Sequence, residues 1–411
     1  MISPATDIIR LTDASLNQSS SRLYTTAVSS ASGVRIGFDF YSYSGTGGDG
    51  FSFFLVDGTK PLLPPRNHIG GSLGYIGVPY GYLGIGFDEY GNFAKPSDGR
   101  NGGSGFTPDA ISVRSSVNTQ HTYLTGTGTL PTSLDNPGAT ATRANSQRRA
   151  EITLSPKGLL TVQVDLNNNG TFTDPSELAV NQFDVTAKNG LPPSSFRFGF
   201  SASTGGKTNV HEVGNFEITT FDGIPIPGIF PGDVIATANG NNNQLIGGNG
   251  NDQLTGGSGT NQITGAQGAD TFTFAGATKQ LALRTSTLRS LDRITDFNFV
   301  EGDRFKLDYD NTRTTIELPK NLYNAGRVQG GNLRAALTTA YADKLTRKKG
   351  NQSLKANEAM FLRFGSRTFL SVNDGKASFS SKNDLVAEVT GIQFKLGDAK
   401  PGALVTSNYF I

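Results

Sequence analysis

The chain has 411 residues with a formal net charge of +2, a length that allows more than one domain with a buried core and a balance that gives no electrostatic argument for nucleic-acid binding. Its 52 glycines, 18 prolines and 17% charged residues favour many turns and short strands over long helices. The absence of cysteine excludes disulfides, thiolate metal sites and cysteine catalysis, and no run of about 20 apolar residues predicts a membrane-spanning helix.

Residues 1–222 predict β structure throughout. Short apolar or alternating runs are separated by turns rich in Gly, Asn and Pro, a pattern typical of two packed antiparallel sheets. The clearest predicted strands are 34–43, 51–56, 150–154, 159–166, 196–201 and 215–221. Residues 130–147 are polar and irregular and predict a loop.

The segment 83–93, LGIGFDEYGNF, ends a predicted strand with oxygen-bearing residues at alternate positions: Asp88, Tyr90 and Asn92. A carboxylate, a main-chain carbonyl and a side-chain amide from one turn suit a hard cation such as calcium, which takes several oxygen ligands. The aromatic ring and the amide in the same turn also suit a bound sugar.

Five sequence blocks in order resemble the L-type (legume-like) lectins and together span most of residues 1–222. They are GDGFSFFLVDG at 48–58, GGSLGYIG at 70–77, GIGFDEYGN at 84–92, FRFGFSASTGG at 196–206 and HEVGNFEI at 211–218. The resemblance implies a concanavalin-like antiparallel β-sandwich that binds a glycan next to a structural Ca²⁺. Gly86 stands where plant members carry a glutamate, so a manganese site is not expected.

The resemblance also implies roles for individual residues. The implied calcium ligands are Asp88, Tyr90 through its carbonyl, Asn92 and Asp98. The implied carbohydrate-binding residues are Asp49, Gly70, Gly71, Tyr90, Asn92, Phe93, Gly205 and Gly206. Asp49 would accept hydrogen bonds from two sugar hydroxyls, although an aspartate in a Gly-rich turn is also an ordinary turn former.

A further calcium candidate lies at 165–177, DLNNNGTFTDPSE. Asp165, Asn167 and Asn169 follow the alternate spacing of a calcium loop, with Gly170 behind them. The carboxylate that should close such a loop is displaced by one position, to Glu177. A simple Asn-Gly hairpin turn is an equally good interpretation.

Residues 223–234 predict a Pro/Gly-rich linker, after which a repeat of period nine begins. Its units are ANGNNNQLI, GGNGNDQLT, GGSGTNQIT and GAQGADTFT, at 238–273. The eighth position is apolar (Leu245, Leu254, Ile263, Phe272), and the sixth holds Asn243, Asp252, Asn261 and Asp270.

These units resemble the RTX calcium-binding nonapeptide, GGxGxDxUx, so residues 235–275 predict a short parallel β-roll. In that family two units make one coil, and residues 18 apart share a side. The resemblance therefore implies a calcium site at Asp252 and Asp270, and a weaker or empty one at Asn243 and Asn261.

Residues 276–411 predict a small mixed α+β domain that caps the roll. Residues 291–307 resemble the segment that follows RTX repeats, and the whole part is similar to the bluetail domain of RTX-repeat proteins. An amphipathic helix is predicted over 332–347, and strands over 361–372 and 385–396.

The combined resemblance implies a secreted, non-enzymatic, calcium-dependent glycan-binding protein of the extracellular space or cell surface. The N-terminus lacks the pattern of a classical signal peptide, and RTX parts are typical of type I secretion. The alternative is a self-associating surface, matrix or filament subunit. A glycan hydrolase is a third hypothesis, but the paired carboxylates of an ExDxxE strand are missing.

Overall fold

The computed structural model describes residues 8–229, 232–240, 242–311, 315–345 and 348–411. Contacts divide the chain into two compact units, Met1–Thr237 and Ala238–Ile411. The predicted division into 1–222, 223–234, 235–275 and 276–411 is finer and stays a prediction. Parts of the predicted N-terminus, linker and helix, at 1–7, 230–231 and 346–347, lie outside the described residues.

The first unit is built almost entirely of strands. In chain order these are β1 Ile9–Thr12, β2 Ser19–Tyr24, β3 Val28–Ser29, β4 Val34–Tyr43, β5 Gly50–Asp57, β6 Gly81–Asp88, β7 Ala110–Arg114, β8 Tyr123–Gly126, β9 Gln147–Leu154, β10 Leu159–Asp165, β11 Leu178–Asp184, β12 Ser195–Ser203 and β13 Val210–Thr219. One short helix, α1 Thr186–Asn189, precedes β12. β14, Val234–Asn239, runs across the boundary of the two units.

The strands form two antiparallel sheets. One has the order β1-β13-β4-β9-β10-β11, and the other contains β2-β12-β5-β6-β7-β8, with β3 also paired to β12. Phenylalanines from both sheets meet between them: Phe38 of β4 lies 4.9 Å from Phe200 of β12, centroid to centroid, and Phe40 of β4 lies 5.1 Å from Phe51 of β5. Burying these large rings supplies much of the stabilisation of the sandwich.

The predicted strands agree closely with the observed ones where the apolar pattern is strong. The prediction at 34–43 coincides with β4, and those at 51–56 and 159–166 match β5 and β10 to within a residue at each end. The predicted loop at 130–147 contains only a short helical turn, Arg143–Asn145, before β9 begins.

The second unit begins with short parallel strands and ends with a mixed α+β part. Its strands are β15 Gln244–Asn249, β16 Gln253–Thr255, β17 Gln262–Gln267, β18 Thr271–Ala275, β19 Asp292–Ile294, β20 Arg304–Asp308, β21 Leu322–Arg327, β22 Ala359–Phe364, β23 Arg367–Val372, β24 Leu385–Val389 and β25 Gly402–Leu404. Its helices are α2 Lys279–Leu283 and α3 Leu333–Ala342.

Two parallel ladders form what we call the β-roll, strands β15 to β20. β15, β17 and β19 stack on one side, and β16, β18 and β20 on the other. The apolar eighth position of each repeat points inward, so that Leu254 aligns with Phe272 and Phe272 with Phe305. All three side chains are at most 1% exposed.

The C-terminal part adds strands to the β15 side of the roll and covers them with a helix. β24 pairs in parallel with β19, and β23, β22, β21 and β25 follow in that order. Leu337 and Tyr341 of α3 pack against Leu362 and Phe369 of the sheet. Asn332 caps the helix by accepting a hydrogen bond from the Ala335 amide at 3.0 Å.

The predicted fold class is confirmed: an antiparallel sandwich, a parallel roll and a mixed α+β part. The strand predicted over 361–372 is a hairpin of β22 and β23, turned at Gly365, whose φ of 62° is in the left-handed region. Among the described residues, no helix combines the length and the apolar character needed to cross a membrane.

Candidate functional site

Asp49 lies where the ends of three neighbouring strands of the sandwich meet. It precedes β5, whose first residue, Gly50, is paired with Asp88 at the end of β6 and with Ser203 at the end of β12. The Asp49 amide donates to the Ser203 carbonyl at 3.2 Å, and its own carbonyl accepts from the Tyr90 amide at 3.1 Å. The backbone is therefore fixed from both sides.

The Asp49 carboxyl is buried, and its Oδ2 atom has no hydrogen-bond partner within the described part of the chain. Burial raises the pKa of this carboxyl to about 6; His211 lowers it and the Glu89 carboxylate raises it. A buried acceptor without a donor costs about 1–3 kcal/mol unless a ligand or water supplies one. Asp49 is therefore suited to accept a hydrogen bond from a bound molecule.

Glycines leave open the space around this carboxyl. A Cβ atom on Gly205 would stand 2.9 Å from Asp49 Oδ2, and one on Gly70 would stand 3.8 Å from the same atom. A Cβ on Gly71 would clash with the side chain of Asn92, at 2.2 Å from its Cβ. The structure thus brings these three glycines together with Asp49 and Asn92, in what we call the Asp49 site.

Two further predicted residues border the Asp49 site. Gly206 is exposed and has open space around it. Tyr90 is half-buried, and the edge of its ring meets the ring of Phe106, with centroids 5.4 Å apart. Phe106, which is 54% exposed, was not among the predicted residues. An aromatic residue in the glycine-rich stretch 101–107 is the only signal that could have identified it.

The prediction that Phe93 could pack on a sugar is wrong. Phe93 is 0% exposed and belongs to an apolar cluster with Leu73, Tyr75 and Phe54. The turn after β6 carries this ring into the core, and Gly86 makes room for it, since a Cβ there would stand 2.3 Å from the ring.

Asp88 is completely buried, and both of its carboxylate oxygens accept backbone amides of the turn that follows. Oδ1 accepts from Gly91 at 2.8 Å and from Asn92 at 3.2 Å, and Oδ2 accepts from Phe93 at 2.6 Å. Burial raises the pKa of Asp88 to about 7, while these three hydrogen bonds and the charge of Arg100 act in the opposite direction.

Asp98 does not close a ligand shell around Asp88, and this prediction is also corrected. Its side chain is 65% exposed and forms an ion pair with Arg100 at 3.1 Å. The buried guanidinium of Arg100 donates to the carbonyls of Gly71 and Phe93. Calcium takes six to eight oxygen ligands. Here the two buried carboxylates of the turn already have donors: Asp88 accepts from three amides, and Glu89 accepts from the Asn209 side chain. The residues present do not fit a calcium ion at this turn.

A polar network that the sequence did not reveal lies behind Asp49. Glu89 Oε2 accepts from the Asn209 side chain at 2.7 Å and lies 3.1 Å from His211 Nε2, and Asn209 also donates to Asp135 at 2.6 Å. Burial opposes the charge of Glu89, but His211 and these hydrogen bonds outweigh it and lower its pKa. The network fixes the residue next to Asp88 and contributes to the field at Asp49.

The candidate loop at 165–177 connects β10 with β11, which are antiparallel neighbours. Asp165 accepts from the amides of Asn169 and Gly170, at 3.1 and 2.7 Å, and Asn167 accepts from the Asn169 amide at 3.1 Å. Glu177 accepts from the Leu166 amide at 3.3 Å. The residues form one hydrogen-bonded turn, and calcium binding there stays a prediction.

In the roll, the sixth-position residues of one side form a ladder of carboxylates. The Asp252 amide donates to Asp270 Oδ1 at 2.9 Å, and the Asp270 amide donates to Asp303 Oδ1 at 2.9 Å. The predicted pairing of Asp252 with Asp270 is therefore present, and the ladder continues beyond the repeats.

This side of the roll fits a divalent cation. Asp270 Oδ2 is buried and has no hydrogen-bond partner among the described residues. Burial raises the pKa of Asp270 to about 7, and the carboxylates of Asp252 and Asp303 also raise it, against a hydrogen bond from the Asp252 amide. Asp252 Oδ2 and the Gly265 carbonyl both lie within 2.5 Å of the point where a Cβ on Gly247 would stand. A hard dication would neutralise such oxygens.

The opposite side of the roll has amides instead. The Asn243 side chain donates to Asn261 Oδ1 at 3.1 Å, and the Asn261 side chain donates to Asp292 Oδ1 at 2.9 Å. Because each amide supplies its own donor, this ladder needs less positive charge than the carboxylate ladder does. A weaker or empty calcium site at Asn243 and Asn261 stays a prediction.

The roll has one coil more than the four repeats supply. Asp292 and Asp303 occupy the sixth position, and Ile294 and Phe305 the eighth, of two half-coils in β19 and β20. Asp292 follows Asp270 by 22 residues and Asp303 follows Asp292 by 11, where the regular spacing is nine. The surviving signal is an Asp followed two positions later by a large apolar residue, as in Asp252-Gln253-Leu254.

Comparison with family models matches four copies of the RTX calcium-binding nonapeptide repeat to residues 237–272. Comparison with curated proteins gives no match. Among solved structures, the chain is similar to the exoplasmic/lumenal domain of VIP36 in a Ca²⁺/Man-bound form, with 18% identity, 52% of this chain and 78% of that chain covered, and a TM-score of 0.36.

Two plant lectins are also similar in structure. For lectin I-B4 from Griffonia simplicifolia in a metal-free form, the identity is 19%, the coverage 52% of this chain and 87% of that chain, and the TM-score 0.35. For the Lotus tetragonolobus seed lectin, the identity is 20%, the coverage 52% of this chain and 86% of that chain, and the TM-score 0.35. The repeat match and the carboxylate ladder coincide in the chain. The protein therefore carries four RTX calcium-binding repeats, and calcium is the ion that its β-roll binds.

Proposed function

We propose that the protein is a secreted, non-enzymatic carbohydrate-binding protein that holds a glycan at the Asp49 site. The observation that carries this proposal is the buried Oδ2 atom of Asp49, which has no donor among the described residues and lies beside Gly205. A sugar hydroxyl is a donor of the right size, and a hydrogen bond to a carboxylate is stronger than one between neutral groups. The five lectin-like sequence blocks support the same proposal.

The rest of the Asp49 site supplies the other contacts that a sugar needs. The Asn92 side chain lies against Gly71 and offers an amide for a second hydroxyl. The rings of Tyr90 and Phe106 form a partly exposed aromatic corner on which the apolar face of a sugar can pack. Asp49 would orient the sugar, and the rings would supply apolar contact.

The roll suits a protein that becomes ordered outside the cell. Its carboxylates repel one another until a cation is bound, so calcium binding contributes directly to folding. Low calcium would leave the second unit less stable, and extracellular calcium would stabilise it. This behaviour supports export by a type I route, which is part of our proposal.

A glycan array with the full-length protein tests the glycan site. We expect Asp49→Asn to weaken binding about 30-fold, because the carboxylate-assisted hydrogen bonds are worth about 2 kcal/mol. We expect a similar loss in Gly205→Ala, since the new methyl group would occupy the space in front of the carboxyl.

The control is Gly128→Ala, because Gly128 has no neighbour within 4 Å of an added Cβ. It should bind like the wild type. Undiminished binding by both Asp49→Asn and Gly205→Ala would exclude the Asp49 site. Calcium-triggered polymers that no sugar disperses would instead favour a structural surface subunit.

A further inference from the structure

We propose that the turn after β6, residues 88–93, is held by the buried guanidinium groups of Arg100 and Arg114 in place of the calcium ion that the lectin resemblance implies. The inference concerns the order of the backbone and needs no bound glycan. It can therefore hold or fail independently of the proposed function.

Asp88, the carboxylate at the start of the turn, already has hydrogen-bond donors. Both oxygens of Asp88 accept backbone N–H groups, from Gly91, Asn92 and Phe93, at distances between 2.6 and 3.2 Å. A calcium ion sharing this carboxylate would compete with three hydrogen bonds that define the turn. The carboxylate thus performs locally the ordering that a bound cation would otherwise provide.

Arg100 connects the turn to the neighbouring loop that carries Gly70 and Gly71. One nitrogen, Nη1, donates both to the Gly71 carbonyl and to the Phe93 carbonyl, the latter at 3.3 Å. Its Nε donates to the Ser97 carbonyl at 3.0 Å. A single cation therefore holds together the two loops that border the Asp49 site.

Arg114, on β7, is 0% exposed, and its partners in the described part of the chain are all backbone carbonyls. Its Nε donates to Phe93 at 2.7 Å, and its other nitrogens donate to Lys95, Asn101, Gly102 and His121 at 2.8 to 3.1 Å. Carbonyl oxygens of irregular loops are the groups that calcium often ligates in proteins. Here a guanidinium with five N–H donors satisfies them.

The charges also argue against a second cation. The charges of Arg100 and Asp88 interact, and the Arg114 charge interacts with both. The adjacent carboxylate, Glu89, accepts a hydrogen bond from Asn209 and lies 3.1 Å from His211 Nε2. Asp98 is exposed and paired with Arg100. A dication at the turn would therefore face two buried guanidinium groups, while both buried carboxylates of the turn, Asp88 and Glu89, already accept hydrogen bonds.

Hydrogen exchange of the full-length protein, measured by mass spectrometry with excess calcium and with EGTA, tests the proposal. We expect peptides that cover Gly91 to Phe93 to exchange at the same rate in both conditions. The Asp252 and Asp270 amides, which donate within the carboxylate ladder, should exchange more slowly when calcium is present and serve as the internal positive control.

Two variants distinguish an effect of the Arg100 guanidinium on the turn from an effect of calcium. Arg100→Gln should speed exchange at residues 91–93 at least tenfold in both conditions, and Asp98→Ala should not, because Asp98 is exposed. Faster exchange of the wild-type turn in EGTA would overturn the proposal. So would an Arg100→Gln variant whose turn stays protected or is restored by calcium. If that variant fails to fold, the wild-type comparison still decides.

Discussion

Asp49 and Asp88 are buried carboxylates at the ends of adjacent strands, and their surroundings separate their roles. Asp88 accepts three amides and holds its own turn. Asp49 keeps Oδ2 without a donor in the described part of the chain. Buried polar atoms are nearly always paired in folded proteins, so an unpaired one marks a place where a ligand or water completes the structure.

Glycan binding should weaken as the pH falls through about 6. Burial raises the pKa of Asp49 to about 6, with His211 and Glu89 acting in opposite directions. Only the ionised carboxylate accepts hydrogen bonds from two hydroxyls, so affinity should be constant above pH 7 and fall up to tenfold per pH unit below about 5.5. Titration calorimetry between pH 4.5 and 8 with a glycan selected on the array measures this.

Asp135 supplies the control, because burial and the Glu89 charge raise its pKa to about 6 as well. The pH dependence should persist in Asp135→Asn and disappear, together with tight binding, in Asp49→Asn. The folding stability of the protein should depend on pH in the opposite direction to its glycan affinity. Since the folded-state pKa of Asp49 is raised, its contribution favours folding at low pH and is lost as the pH rises through about 6. Affinity that is flat down to pH 5 would contradict the assignment.

The sequence predicts the regular elements far better than the contacts of individual residues. Alternation over ten residues defines β4, and the nine-residue period defines the roll, because burial on one face repeats with the backbone geometry. The side to which Phe93 turns, and the carbonyls that Arg114 reaches, depend on loops distant in sequence. No local pattern encodes these contacts. The sequence therefore predicts a calcium site at the turn and gives no sign that Arg100 and Arg114 hold it.

At the scale of elements, the half-coils in β19 and β20 should be part of the cooperative roll. Phe305 is 0% exposed and stacks on Phe297, with centroids 4.4 Å apart. Phe305→Ala should therefore lower the free energy of unfolding of the second unit by about 3–5 kcal/mol and weaken calcium binding. Urea unfolding followed by circular dichroism, with and without calcium, measures both effects.

Val300→Ala is the matched control, because Val300 lies between the same half-coils and is 80% exposed. Its effect should stay within about 0.5 kcal/mol. If Phe305→Ala leaves the calcium-bound unfolding midpoint unchanged, the roll ends with the four repeats and the added coil is not part of its cooperative core.

At the scale of the whole molecule, the two units solve the problem of buried charge differently. In the sandwich, Asp88 accepts hydrogen bonds from backbone amides, and the buried guanidinium groups of Arg100 and Arg114 donate to loop carbonyls. The roll stacks Asp252, Asp270 and Asp303 and relies on a cation from solution. Calcium should consequently act on one unit and not on the other.

Scanning calorimetry of the full-length protein should therefore show two transitions, of which calcium raises only the one that belongs to the second unit. At a hundredfold excess over the dissociation constant, binding adds about 2.7 kcal/mol, which corresponds to roughly 5–10 °C for a unit of this size. Phe38→Ala, in the sandwich core, should lower only the calcium-independent transition and so assign it. Asp270→Asn should abolish the calcium shift of the second unit without moving the calcium-independent transition of the sandwich. An equal calcium shift of both transitions in the wild-type protein would contradict this prediction, because it would show that the sandwich also depends on the ion.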